Sequence, residues 1–238
     1  MKLTVVGCSP AWPNPGGAHS GYLVDDRLLL DCGPGVLARL REGRIWPDLD
    51  AIALTHFHLD HWGDLVPWVW GASYLEKREE APGRPRLFVP PRGRETLRDF
   101  GELLGFPDMF ERTFDLAEYE PGRPFEAGGL AVTATRVPHY SLEAYAFRVE
   151  GDRTLSYSGD SGPSEALAEA ARDADLFVCE ATLARGGLDG ELRGHLALDE
   201  ALAAFARSGA RRLLVTHRPA ELPADGVDLA RDGLVVTV

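Results

Sequence analysis

Three of the chain's seven histidines and an aspartate fall within six residues, in His56-Phe57-His58-Leu59-Asp60-His61. Packing asks for no such density, whereas imidazole and carboxylate together bind divalent cations. The preceding run Ala51-Ile52-Ala53-Leu54 reads as a short buried strand, which puts the cluster just past a strand's C-terminal end, a usual place for an active site. In an extended chain, side chains two apart point the same way, so His56 and His58 can grip one ion from the same side. Asp60 and His61 follow where the chain must turn, and they can face a second ion beside the first. Such a two-metal site needs more ligands than this loop contains.

The elements around the cluster repeat one arrangement, in which a strand delivers a polar residue at its C-terminal end and a helix fills the gap. Leu3 to Ser9 reads as a buried strand, Ala11 to Gly17 as a stiff exposed loop, and Gly21 to Asp31 as a hairpin turning at Asp25-Asp26. A helix from about Val36 to Glu42 ends near Gly43. Leu65 to Lys77 has helical spacing, with Trp68 and Trp70 as core or as a pocket or dimer wall. A Pro-, Gly- and charge-rich loop over 79–86 precedes the strand Leu87-Phe88-Val89, and a helix is predicted over Glu95 to Leu104, weakened by Gly101. Strands around Leu130–Thr135 and Ala144–Val149 bracket Val137-Pro138-His139. The strand Thr154–Ser158 turns out through Gly159-Asp160-Ser161-Gly162 into a helix over Ser164 to Arg172. Asp175 to Glu180 is a buried strand ending on an acid, Leu198 to Ser208 an alanine-rich helix stopping at Gly209, and Arg211 to His217 a strand ending on a histidine. This pattern predicts an α/β (α+β) architecture of mixed sheets covered by helices.

Length and composition set limits. A chain of 238 residues suits one domain, taken as 1–238, and 45% hydrophobic with 26% charged residues is ordinary for a globular protein. The chain opens directly on a strand-like run, no apolar run is long enough to cross a bilayer, and three scattered cysteines fit reduced thiols, so a cytoplasmic location is expected. A net charge of −12 counts against a long polyanionic partner such as nucleic acid, since such proteins usually carry a basic surface.

Two adjacent ions require about three or four protein ligands each. The candidates are His56, His58, Asp60, His61, His139, Asp160 and His217; sharing Asp160 gives each ion four protein contacts, and a bridging hydroxide completes the site. Zinc is the expected metal, with manganese or iron as alternatives. The ordered set His56-x-His58-x-Asp60-His61, His139, Gly159-Asp160-Ser161 and Thr216-His217 resembles the metallo-β-lactamase superfamily across nearly the whole chain. That resemblance implies a four-layer αββα sandwich with two metals at one edge, His56, His58 and His139 on one, Asp60, His61 and His217 on the other, and Asp160 bridging. Aspartate at 160 points away from β-lactam hydrolysis. The opening Leu3 to Ser9, the run Leu29 to Gly35 and Gly194-His195-Leu196 are similar to the ribonuclease Z-like group, in which a strand-end E-A-T glutamate pairs with a histidine of a later H-x-[ST] element. Here these are Glu180-Ala181-Thr182 and His195-Leu196-Ala197, with Ala197 replacing the hydroxyl residue. The implied catalytic set is Asp60, Glu180 and His195. Glu180 orients and charges His195, which neutralises a phosphate oxygen or protonates the leaving alkoxide. Asp31 is a candidate hydrogen-bond partner of a metal-binding histidine, and the Ser161 and Gly162 amides are candidate donors to an anionic substrate.

A two-metal site activates water against phosphorus or a carbonyl carbon. Ribonuclease Z relatives that process transfer RNA precursors carry a basic arm; only twenty residues separate His139 from Asp160, and no Gly/Lys-rich excursion follows. Length and the Gly-Cys-Ser opening resemble short bacterial cyclic-nucleotide phosphodiesterases, so the expected substrate is a small phosphodiester such as a 3′,5′-cyclic nucleotide. A ribonuclease Z-like RNA 3′-processing endonuclease, a lactonase or other ester hydrolase, and a metal-dependent binding protein without turnover are the alternatives. A homodimer is implied by the resemblance alone.

Overall fold

The computed structural model describes residues 1–42, 44, 47–75 and 83–238. Two mixed sheets face each other. The first, seven-stranded, comprises β1 (Lys2–Gly7), β2 (Gly21–Val24), β3 (Leu28–Leu30), β4 (Ala51–Ala53), β5 (Arg86–Val89), β6 (Asp115–Glu118) and β13 (Val235–Thr237), in the order β13-β1-β2-β3-β4-β5-β6. The second, six-stranded, comprises β7 (Phe125–Ala127), β8 (Leu130–His139), β9 (Leu142–Glu150), β10 (Thr154–Tyr157), β11 (Leu176–Glu180) and β12 (Leu213–Thr216), in the order β12-β11-β10-β9-β8-β7.

Alternation along the strands divides the apolar side chains into three layers. Leu3, Val5, Tyr22, Val24, Leu28 and Leu30 of the first sheet meet Val132, Ala134, Tyr145, Phe147, Leu155 and Val178 of the second in a core between the sheets. Their neighbours point outward: Leu29, Ile52, Leu87 and Val89 pack under α1 (Val36–Leu40), α3 (Leu65–Leu75), α4 (Gly93–Leu103) and α5 (Met109–Thr113). Phe177, Cys179 and Val215 pack under α6 (Glu165–Ala170) and α7 (Leu198–Ser208). The result is the four-layer αββα sandwich. Trp68 is fully buried in the outer layer, while Trp70 is half-buried with its ring edge-on to Phe106 at 5.1 Å.

The predicted ends shift by a few residues. The helix expected to stop near Gly43 runs from Val36 to Leu40, and Gly43 lies outside the described residues. Residues 76–77 of the predicted helix and 79–82 of the predicted loop also lie outside them. Val137, Pro138 and His139 do not lie between strands but complete β8, whose partner β9 pairs His139 with Leu142. Proline fits there because β7 pairs only Leu130–Val132 of β8, leaving the Pro138 side of the strand without a ladder to donate to.

Strand direction places the site. β3 to β6 run parallel, as do β10 to β12, so their C-terminal ends gather at one edge of the sandwich. β1 leaves and β2 enters at the same edge because both pairings there are antiparallel.

Candidate metal centre

At this edge Asp31 follows β3, His56 follows β4, and α2 (Leu59–Trp62) carries Asp60 and His61. His58 is the extended residue preceding α2, so the chain changes from strand-like to helical between His58 and Asp60, as the turn required. The loop sits against Gly33, where a Cβ would lie 2.0 Å from the Asp60 carbonyl oxygen; only glycine permits that approach. The second sheet contributes His139 from the end of β8, Asp160 after β10, Glu180 as the last residue of β11 and His217 after β12.

Two groups of ligand atoms result, each within 4.8 Å of one another: His56, His58, His139 and Asp160 in one, and Asp60, His61, His217 and Asp160 in the other. Asp160 divides its oxygens between them. Its Oδ2 is 3.9 Å from both His56 Nε2 and His139 Nε2, while Oδ1 is 3.2 Å from His61 Nε2 and 3.5 Å from His217 Nε2. Asp60 Oδ2 stands 3.5 Å from His61 Nε2 and 3.3 Å from His217 Nε2. His58, exposed at the mouth, brings Nδ1 to 2.8 Å from His139 Nε2.

The donor set fits divalent cations. His56 Nε2, His61 Nε2 and Asp160 Oδ1 are buried and make no aligned hydrogen bond among the described residues, a costly state for polar atoms unless something else engages them. The far nitrogen of each buried histidine is meanwhile anchored. His139 Nδ1 donates to the Gly194 carbonyl at 2.7 Å, which leaves Nε2 as the lone-pair nitrogen. His61 Nδ1 pairs with Asp31 Oδ2 at 2.7 Å, and His56 Nδ1 lies 3.0 Å from the Thr55 hydroxyl, which itself donates to Asp31. Asp31 thus makes a hydrogen bond to a ligand candidate, His61. Such outer partners fix ring orientation and raise ligand basicity.

The two groups differ electrically. Burial pushes His56, His58 and His139 below the ordinary histidine value, which favours neutral, ligand-ready rings. Burial also opposes charge on His61, but Asp160, Asp31 and Asp60 overcome it and raise the ring well above that value. Asp60 and Asp160 are in turn held ionised, burial notwithstanding, by His61 and His217.

The Glu180–His195 pair forms beside them. His195 Nδ1 donates to Glu180 Oε1 at 2.9 Å, and the ring stands 5.0 Å from that of His139 and 5.8 Å from that of His217. Burial lowers its basicity, but the Glu180 carboxylate outweighs this and raises the imidazole to about 9. Glu180 Oε2 receives the Thr182 hydroxyl at 2.7 Å, and that hydroxyl lies 2.9 Å from His217 Nδ1, so one carboxylate ties the ligand candidate His217 to His195. The missing hydroxyl at Ala197 leaves this intact. Glu200 accepts from the Ala197 amide at 2.9 Å, and Arg193 grips the Glu200 carboxylate at 2.8 and 3.0 Å.

The Ser161 and Gly162 amides are not free for substrate: Ser161 N donates to Glu180 Oε1 at 2.9 Å and Gly162 N to the Pro138 carbonyl at 2.6 Å. They orient the site instead. All nine sequence-predicted site residues meet at one edge. Two neighbours escaped the sequence reading. His19, buried with Nδ1 donating to the Pro10 carbonyl at 2.9 Å, adds its ring to the electrostatic environment of Asp60, His61 and His217. Tyr140 places its ring 5.0 Å from His139 and 5.6 Å from His195. Adjacency to His139 was the only signal for Tyr140; His19 carried none beyond its residue type.

Fold and site together define a metal-dependent hydrolase, and the model of the Beta-lactamase superfamily domain matches residues 26–218. The chain belongs to that superfamily, in its metallo-β-lactamase form. It is similar to the probable metallo-hydrolase YhfI of Bacillus subtilis, 32% identical over 230 residues covering 92% of this chain and 87% of that one. The crystal structure of YhfI from that organism superposes with a TM-score of 0.83 at 26% identity, covering 99% of each chain. Ribonuclease Z of Methanosarcina acetivorans is 24% identical over 290 residues, 98% of this chain and 92% of that one. A diphosphatase of the PhnP family shares the fold at a TM-score of 0.76 and 20% identity, covering 100% of this chain and 97% of that one.

Proposed function

We propose that the protein is a phosphodiesterase using two divalent ions, zinc in the first instance, on a small phosphodiester such as a 3′,5′-cyclic nucleotide. His56, His58 and His139 hold one ion, Asp60, His61 and His217 the other, and Asp160 both. When bound, the ions supply an activated water and withdraw charge from the phosphoryl oxygens. His195, oriented through Nδ1 by Glu180, presents Nε2 to the substrate, neutralising a phosphoryl oxygen and giving its proton to the leaving alkoxide. Asp60 orients its neighbours His61 and His217. The observation carrying this reading is the geometry of His195, its Nδ1 2.9 Å from Glu180 Oε1 and 3.9 Å from Asp160 Oδ2; the Glu180 carboxylate raises this imidazole and so suits it to protonate an alkoxide leaving from phosphorus.

The small substrate rests on the charge of −12 and on the interval from His139 to Asp160, which β9 and β10 occupy. Three buried free thiols suit a reducing compartment, and we place the protein in the cytoplasm. No helix among the described residues is long and apolar enough to cross a membrane.

Purified protein of known metal content, assayed against cyclic nucleotides, bis-p-nitrophenyl phosphate, short RNA and acyl-lactones, tests the reading. Turnover of the first two is expected. Cleavage of RNA alone would return the protein to the activity named for its ribonuclease Z relatives, and hydrolysis of lactones alone would make it an esterase. Inertness toward all four would leave a binding protein.

A further inference from the structure

Tyr140 and Ser141 form the two-residue turn between β8 and β9, directly after the ligand histidine 139. Tyr140 has φ 50°, a left-handed conformation that turns of this kind give to glycine, asparagine or aspartate. A bulky side chain is strained there, and such strain persists where its surroundings enforce it. They do so here. The Tyr140 amide donates to the Arg193 carbonyl at 3.1 Å, and the ring lies flat on Gly194, where a Cβ would come within 2.4 Å of two ring atoms and 2.6 Å of a third. Any side chain at 194 would displace the ring.

That seat sets the ring at the rim of the metal centre, edge-on to His195 at 5.6 Å and tilted against His139 at 5.0 Å. The residue is 36% exposed, and its phenol hydroxyl makes no hydrogen bond among the described residues. The ring belongs to none of the three apolar core layers. An aromatic face with an unused hydroxyl therefore stands beside the proton donor, on strained backbone, with a glycine shaped to receive it.

We propose that Tyr140 is a specificity-determining residue whose ring stacks on a planar aromatic group of the substrate, a nucleobase in the first instance, while the phosphoryl group lies at the metal centre. For the substrate class this rests on the phosphodiesterase reading, but it is measured without turnover. In zinc-loaded protein, calorimetry compares adenosine 5′-monophosphate with ribose 5-phosphate, in which an anomeric hydroxyl takes the place of the base. Wild type is expected to bind the nucleotide about tenfold more tightly, within the range for one base–aromatic stack. Tyr140→Phe should keep most of that preference. Tyr140→Leu should abolish it while leaving the affinity for ribose 5-phosphate unchanged, which separates loss of stacking from damage to the site. Tyr140→Asn, a residue the turn favours, gives the same test if the leucine variant does not fold. Equal affinity of wild type for the two ligands, or an undiminished preference in the leucine or asparagine variant, overturns the proposal. Hydrolysis of bis-p-nitrophenyl phosphate by wild type decides the phosphodiesterase reading separately.

Discussion

The two halves of the metal centre answer the same chemical demand with different materials. One groups three histidines, His56, His58 and His139, whose basicity is lowered by loss of surrounding water; the other sets His61 and His217 among the carboxylates of Asp60, Asp160 and Asp31. A neutral imidazole gives a lone pair without changing the local charge, whereas the carboxylates leave a surplus of negative charge that a cation must balance. The first half is therefore ready to bind as folded. In the second, Asp160, Asp31 and Asp60 raise the basicity of His61, so a metal there would have to displace a proton, and Asp160 turns one oxygen toward each half.

The sharpest way to break this arrangement is at the shared residue. Asp160→Ala is expected to lower metal content at both positions and cut phosphodiesterase turnover by roughly 10³-fold, the upper range for losing a preorganised electrostatic group. Full stoichiometry in the variant, measured by elemental analysis, would separate the halves. His195→Ala should keep both metals and lose about 100-fold in kcat, the scale of a general acid. Because Glu180 raises this imidazole, its proton is present at low pH and lost as pH rises through the shifted value, which neighbouring cations bring down from about 9. Wild-type kcat should fall on that alkaline limb, and the limb should vanish in the variant. Thr182→Val cuts the link from His217 to Glu180 and is expected to weaken metal binding in the carboxylate-rich half by about tenfold, the lower range for removing an outer partner. The three-histidine half should not respond.

The smallest effect is the most discriminating. At pH 7, calorimetry in buffers of different ionisation enthalpy should record about one proton released as the carboxylate-rich half fills, since a ligating histidine must be deprotonated, and nearly none for the other half. Equal proton release in both would contradict the raised His61 and the lowered His56.

Much of this was legible in the chain because the metal loop carries its own signal. His56, His58, Asp60 and His61 are local, and each distant ligand candidate sits at the end of an apolar run whose type is plain, as the run Leu213 to Thr216 before His217 shows. The illegible parts depend on neighbours. β6, Asp115-Leu116-Ala117-Glu118, and β13 are short edge strands with exposed positions, and nothing within them demands a sheet until β5 and β1 offer one. α5 is five residues long, too short to show a period. His19 reaches the site only because the loop after β1 folds back, with Pro10 and Pro34 carbonyls holding its ring and amide. Tyr140 was hidden for the opposite reason: its local sequence argues against the turn conformation that it adopts.

Beneath the metal centre, Tyr157 of the second sheet donates to Asp31 of the first at 2.9 Å, and the hydroxyls of Tyr22 and Thr216 meet across the same gap. The ligands divide in the same way, with His56 to His61 arriving on one sheet and His139, Asp160 and His217 on the other. A cation gripped by both would work as a rivet through two plates, at an edge where polar ties already join the two sheets. Metal bound there would then stabilise the folded protein as well as serve its chemistry, since it would bind the native state alone.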